Sequence, residues 1–249
     1  MGNWGGFVGG MAPRGSSMDG ELWYLCTPLR RWASLLVLSI AVSFSLGPLV
    51  AWQILAPAML QDGIFQCEGG GAAAYDAATQ RLDQVYSVGV GLAAVASFFI
   101  GLYLDAIGPR LLAMVATGIS VVAFALAGLA LQYPCSFGGA IWLTLFSFVS
   151  ATAQAFAVYS YLWILPDQPF AVTSIVNAAY ILADIYGTLA GYLHTRVGLS
   201  AYAYFYFLSG ATLFSVAACW VLLPTLAQQQ AIQQRSGERL DEDGHGSAD

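Results

Sequence analysis

Six long apolar stretches, separated by short polar breaks, set the rhythm of the chain. They run near 33–59, 84–104, 111–132, 139–165, 171–193 and 200–224. A helix needs about 20 mostly apolar residues to cross a bilayer, and each stretch is long enough. The separators are the Gly/Ala/Asp-rich segment 61–81, then DAIGPR, QYPCSFGG, PDQP and HTRVG. The pattern predicts an all-α membrane protein of six transmembrane helices over 33–224. A segment at 1–32 precedes them. The tail at 225–249 is polar, Gln-rich and then acidic, and reads as disordered.

Within the spans the polar residues are not scattered. At about 100° per residue, Thr173, Asn177, Tyr180, Asp184 and Thr188 share one narrow face of the fifth span. Ser147, Ser150, Gln154 and Tyr161 share a face of the fourth, and Ser39, Ser43 and Gln53 share one of the first. Ser45 lies off that face. Three striped helices point to a water-filled cavity lined by spans one, four and five. For any single Ser or Thr, interhelical hydrogen bonding accounts for the position equally simply. The candidate pathway residues are Ser43, Gln53, Gln154, Tyr161, Asn177, Tyr180 and Asp184. Asp184 sits mid-span with no charged neighbour in sequence. It has three readings: it binds a substrate amine, carries a proton, or accepts bonds from Tyr or Asn.

Small residues mark close helix approach. Gly187 and Gly191 form GxxxG in the fifth span, and Gly89, Ala93, Ser97 and Gly101 recur every fourth position in the second. Gly47-Pro48 predicts a kink midway along the first span.

Composition sharpens the picture. Of 249 residues, 58% are hydrophobic and 9% charged, where soluble domains carry about 25% charged. There is no lysine, the eight basic residues are all arginine, and the net charge is -6. No basic face for nucleic acid is expected. The four cysteines form no CxxC, and both histidines are isolated, so neither metal nor cofactor is expected. Without GxSxG, HExxH or paired intramembrane acids, enzymatic chemistry is not expected either.

Arginine placement sets the expected topology. With the N-terminus in the cytoplasm, Arg14, Arg30, Arg31, Arg110, Arg235 and Arg239 fall inside, and only Arg81 and Arg196 outside. Six spans then return the C-terminus to the cytoplasm. Cys67 and Cys135 both fall in outer loops, either as a disulfide or as two unpaired thiols.

The segment GLYLDAIGPR, between spans two and three, resembles the G-x-x-x-D-x-x-G-x-[RK] loop of major facilitator transporters. Gly101, Asp105, Gly108 and Arg110 match; Ala106 and Leu111 stand where basic residues are usual. GPLVAWQILAPAMLQDGIFQC (47–67), QRLDQVYSVG (80–89) and LDAIGPR resemble the facilitative amino-acid transporter branch, solute carrier family 43, and its protozoan relatives. Asp83, Tyr86 and Ser87 depart from that branch's usual Asn, Phe and Thr. The resemblance implies the N-terminal six-helix half of a major facilitator fold, a 3+3 inverted repeat. It also implies facilitated diffusion of large neutral or cationic amino acids by alternating access at the plasma membrane. In the family, the Asp of the loop latches the two halves together. The fourth span lacks the Arg of many proton-coupled members. The chain is expected to be a truncated or half-size transporter that pairs with a second six-helix half or with itself; the alternative is a non-transporting partner subunit.

Overall fold

The first helix opens at Thr27, whose hydroxyl accepts from the Arg30 N–H at 3.4 Å, with Pro28 at the first helical position. Both residue types favour a helix start. The structure, a computed structural model, describes residues 27–66 and 71–234, and no strand occurs among the described residues. Among the described residues six helices are long and apolar enough to cross a membrane, which marks the chain as a multi-pass membrane protein.

Span one is broken. It runs as Pro28–Val50, turns at Ala51 and resumes as Trp52–Gln61. Pro48 lacks the N–H that would reach the Phe44 carbonyl, so the ladder is weakened just before the break. Gly47 lets span six come close: a Cβ there would stand 2.9 Å from the Tyr204 hydroxyl.

Span two, Ala72–Ile107, is longer than the apolar stretch predicts. Its 36 residues reach about 54 Å at 1.5 Å each, against a hydrocarbon core of about 30 Å. The added turns come from AAAYDAATQ, too polar for an apolar window but rich in the strongest helix former. Span three is Pro109–Gln132. Span four covers Pro134–Ile164 in pieces, with a 3-10 turn at Gly138–Leu143 before the main helix Thr144–Val158. Span five is Pro169–Val197, closed by Gly198 at φ 74, and span six is Ala201–Leu222.

The expectation of an irregular tail from 225 is corrected over 226–234, which is helical. Thr225 and Gln228 cap its start reciprocally. The Thr225 N–H donates to Gln228 Oε1 at 2.9 Å, and the Gln228 N–H donates to the Thr225 hydroxyl at 3.4 Å. This is the T-x-x-Q capping pattern, which a reading by polarity alone overlooks.

Consecutive spans are mostly poor neighbours. Span one packs against five, two against four, and three against six; one also meets four and six, and three meets four. Spans five, one, four and two therefore lie side by side, with three and six behind them. Spans one and four are the most enclosed, and two and five the least. One half of the interior centres on Trp52, which stacks on Tyr86 and meets Phe148 edge-on, both at 5.8 Å. The other half gathers Leu35, Leu38, Val158, Tyr161 and Leu223.

Both ends are tied. At one end, Asp62 Oδ2 accepts the Ala201 N–H at 2.6 Å, putting a carboxylate at the start of span six. His194 lies 3.0 Å from Gln61 Oε1 and 2.9 Å from the Leu199 carbonyl. At the other end, Arg110 Nε donates to the Leu223 carbonyl at 2.6 Å.

Candidate functional site

The polar stripe of span four points into the bundle. Ser147, Ser150, Gln154 and Tyr161 are all buried. Gln154 donates to Cys219 Sγ at 3.6 Å, and the Tyr161 hydroxyl donates to the Leu222 carbonyl at 3.0 Å. Both contacts tie span four to span six. Ser43 is buried too and donates to its own helix, at the Ile40 carbonyl, at 2.6 Å. Ser43, Gln154 and Tyr161 are thus packing and cross-linking groups. The buried hydroxyl oxygens of Ser39 and Ser45 and the Gln154 carbonyl have no hydrogen-bond partner.

The stripe of span five faces the other way. Asn177, Tyr180, Asp184 and Thr188 are exposed, and Thr173 is half-buried. The helix buries Val172, Val176, Ala179, Ala183, Gly187 and Gly191 instead. Gly187 and Gly191 explain the choice of face. A Cβ on Gly187 would overlap the Ala51 side chain, and one on Gly191 would overlap Ile54. That contact clamps span five onto the broken part of span one and leaves the polar stripe on the open side.

Span four adds Tyr159, whose hydroxyl donates to Asn177 Oδ1 at 2.9 Å. Tyr159 belongs to an outward row with Thr152, Phe156 and Trp163, opposite the buried stripe. From span one comes Gln53. Trp52 is turned toward spans two and four, and Ala51 and Ile54 toward span five. At about 100° per residue, the exposed Gln53 faces the gap between spans two and five. The structure therefore brings Gln53, Asn177, Tyr180 and Asp184 to the open side and withdraws Ser43, Gln154 and Tyr161 from it.

Asp184 is the only acid in the middle of a described span. It lies about 22 Å along the helix from Pro169 and about 20 Å from Val197, at 1.5 Å per residue. Its side chain makes no hydrogen bond or ion pair among the described residues. Tyr180 stands one turn away on the same stripe, 37% exposed.

Sequence reasoning missed two contributors. Tyr159 falls on the face of span four opposite the chosen stripe, and only its neighbour Asn177 identifies it. Gln80, Asp83, Gln84 and Ser87 form an exposed row on the extended part of span two. Their spacing of three and four was visible, but Gln80 and Asp83 lie upstream of the apolar run.

In the loop motif, Gly108 has φ 81 and closes span two. A Cβ there would stand 2.8 Å from the Leu226 backbone nitrogen, so glycine allows the helix at 226–234 to dock. Arg110 holds the same junction, with a second contact to Gln228 Oε1 at 3.5 Å. Asp105 is exposed and makes no hydrogen bond among the described residues. Gly101, expected to allow close packing, has open space where a side chain would project. The close approach occurs higher on the same stripe, where Gly89 meets Phe148 and Leu145. Cys135 is disulfide-bonded; Cys67 lies outside the described residues.

Comparison with family models, curated proteins and solved structures gives no match.

Proposed function

We propose that the chain is one six-helix half of a major facilitator-type transporter, carrying amino acids by facilitated diffusion through alternating access. The observation that carries the proposal is the open face. A mid-span carboxylate, an Asn–Tyr pair and Gln53 sit on the side that spans one, two, four and five leave uncovered. A bundle that needed polar groups only as glue would bury them all, as span four does.

The order of neighbours supports the fold assignment. Exchanging spans one, two and three for four, five and six turns the pair one–five into four–two, leaves three–six unchanged, and turns one–six into four–three. That exchange symmetry of contacts supports a 3+3 inverted repeat. On this reading the face of spans two and five receives a second six-helix unit, either another half or a second copy. The cytoplasmic side holds Arg110 and both termini, and the plasma membrane is the site of action.

The test is uptake of labelled amino acids into vesicles holding the purified chain. Saturable uptake is expected, lowered at least tenfold by Asp184→Asn. A folded, oligomeric chain with no saturable uptake refutes transport and leaves the partner-subunit alternative.

A further inference from the structure

We infer that a groove between spans three and four holds one acyl chain of a bilayer phospholipid, at a fixed place and firmly enough to be retained in detergent. The inference stands apart from the transport reading and uses no residue of the open face.

The groove has a volume of about 390 Å³, within the range of small-molecule sites. Val115, Ile119, Val122 and Leu126 form one stripe of span three along it, and Leu143 and Phe146 face them from span four. Every lining side chain is apolar. Leu143 and Phe146 stand where the 3-10 turn of span four passes into its main helix. Gly118 keeps the groove open, since a Cβ there would meet no atom within 4 Å. Val115 lies about 9 Å along the helix from Pro109, and Leu126 about 9 Å from Gln132, at 1.5 Å per residue. The groove thus sits in the central part of the span, at hydrocarbon depth. Val115, Ile119, Val122 and Phe146 are exposed at its rim, so it is continuous with the lipid-facing surface of the bundle.

Depth and lining exclude a polar occupant, because no lining side chain can satisfy a hydrogen bond there. Volume then chooses among apolar ones. A cavity of about 150 Å³ takes up benzene. On that scale about 390 Å³ holds roughly fifteen carbons, one common acyl chain and less than a sterol. Lipid tails are as apolar as Leu, so the hydrophobic effect does not draw a chain out of the bilayer into the groove. Packing does. Val115, Ile119 and Val122 are β-branched and stiff in a helix, so the wall is formed in advance. A chain lying along it meets protein atoms on several sides at once, and each contact adds a little dispersion energy.

Lipid retention is read by native mass spectrometry of the full chain. Binding is read as its thermal shift in detergent with dipalmitoylphosphatidylcholine, dioctanoylphosphatidylcholine and cholesterol as probes. One phospholipid per chain is expected to survive purification, and the dipalmitoyl probe to bind at least tenfold more tightly than the other two. Gly118→Phe puts a ring into the groove and is expected to keep the unliganded melting temperature, abolish retention and weaken the dipalmitoyl probe at least tenfold. Leu213→Phe adds bulk at an exposed position of span six, outside the groove, and is expected to change neither. A chain that retains no phospholipid overturns the proposal, as does cholesterol binding as well as the dipalmitoyl probe, or an equal effect of the two variants. Should Gly118→Phe fail to fold, the dipalmitoyl probe with a photoreactive group on one chain is applied to the unaltered protein. Labelling concentrated on 115–126 and 143–146 supports the site; labelling spread evenly over the lipid-facing spans overturns it.

Discussion

The closest approach between spans one and five yields the sharpest stability prediction. Gly187 has no side chain because the Ala51 methyl already fills the space, and the Ala51 Cα is only 3.3 Å from where a Gly187 Cβ would be. Ala51 cannot rotate away, since its methyl is fixed to the backbone. Gly191 faces the Ile54 Cγ2 methyl, which rotation about χ1 can move, while the Ile54 Cβ is a tolerable 3.8 Å away. Overpacking a tight contact costs about 1–3 kcal/mol. Gly187→Ala should fall near the top of that range and Gly191→Ala near the bottom. For a chain of this length, about 2–4 °C of melting temperature corresponds to 1 kcal/mol. Gly187→Ala is then expected to lower the melting temperature in detergent by roughly 6–12 °C, and Gly191→Ala by much less. Moving the methyl across the interface gives the control: Ala51→Gly combined with Gly187→Ala should recover most of the loss. A Gly187→Ala chain that melts with the parent, or a double variant no better than the single one, refutes the contact.

Three further outcomes are expected. Arg110→Ala leaves the Leu223 carbonyl without its donor, costs about 1–3 kcal/mol locally, and should raise hydrogen exchange over 223–234; unchanged exchange there would show that Arg110 does not hold the helix. Asp62→Ala removes the acceptor at the start of span six and should cost about 0.5–2 kcal/mol in thermal unfolding, with no loss if the Ala201 contact is unimportant. Peptide mapping without reductant should recover Cys67 and Cys135 in one linked peptide; two separate peptides would assign the Cys135 disulfide to another partner.

The spans were legible because a bilayer allows few alternatives to a long apolar helix. Their ends were less so. Span two was read from 84 because hydropathy fades where the helix leaves the apolar layer, although AAAYDAATQ continues the helix. The kink at Gly47-Pro48 was visible and occurs as a break at Ala51. Periodicity grouped the polar residues of spans four and five but did not give their direction, and in span one it joined Gln53 to Ser39 and Ser43, which the break at Ala51 separates from it. A buried polar face and an exposed one leave the same helical period, so Gln154 and Asp184 look alike in sequence. Only the glycines of span five, which choose the face that meets span one, separate the two cases. Tyr159 was out of reach because a lone Tyr in an apolar row gives no signal without Asn177 beside it.

The interleaved order of neighbours has a consequence for biosynthesis. Span one finds its main partner only when span five emerges from the ribosome, and span two must wait for span four. Until then Ser39, Ser43 and Ser45 sit on a helix with little to pack against, and the break at Ala51 lacks the surface that shapes it. A hairpin of spans one and two cannot complete its own packing, in contrast to proteins whose consecutive helices pair as they are made. Early spans are therefore expected to need shelter from the translocon or a membrane chaperone until their partners emerge. Ribosome-stalled chains ending after span four should be degraded faster than those ending after span six.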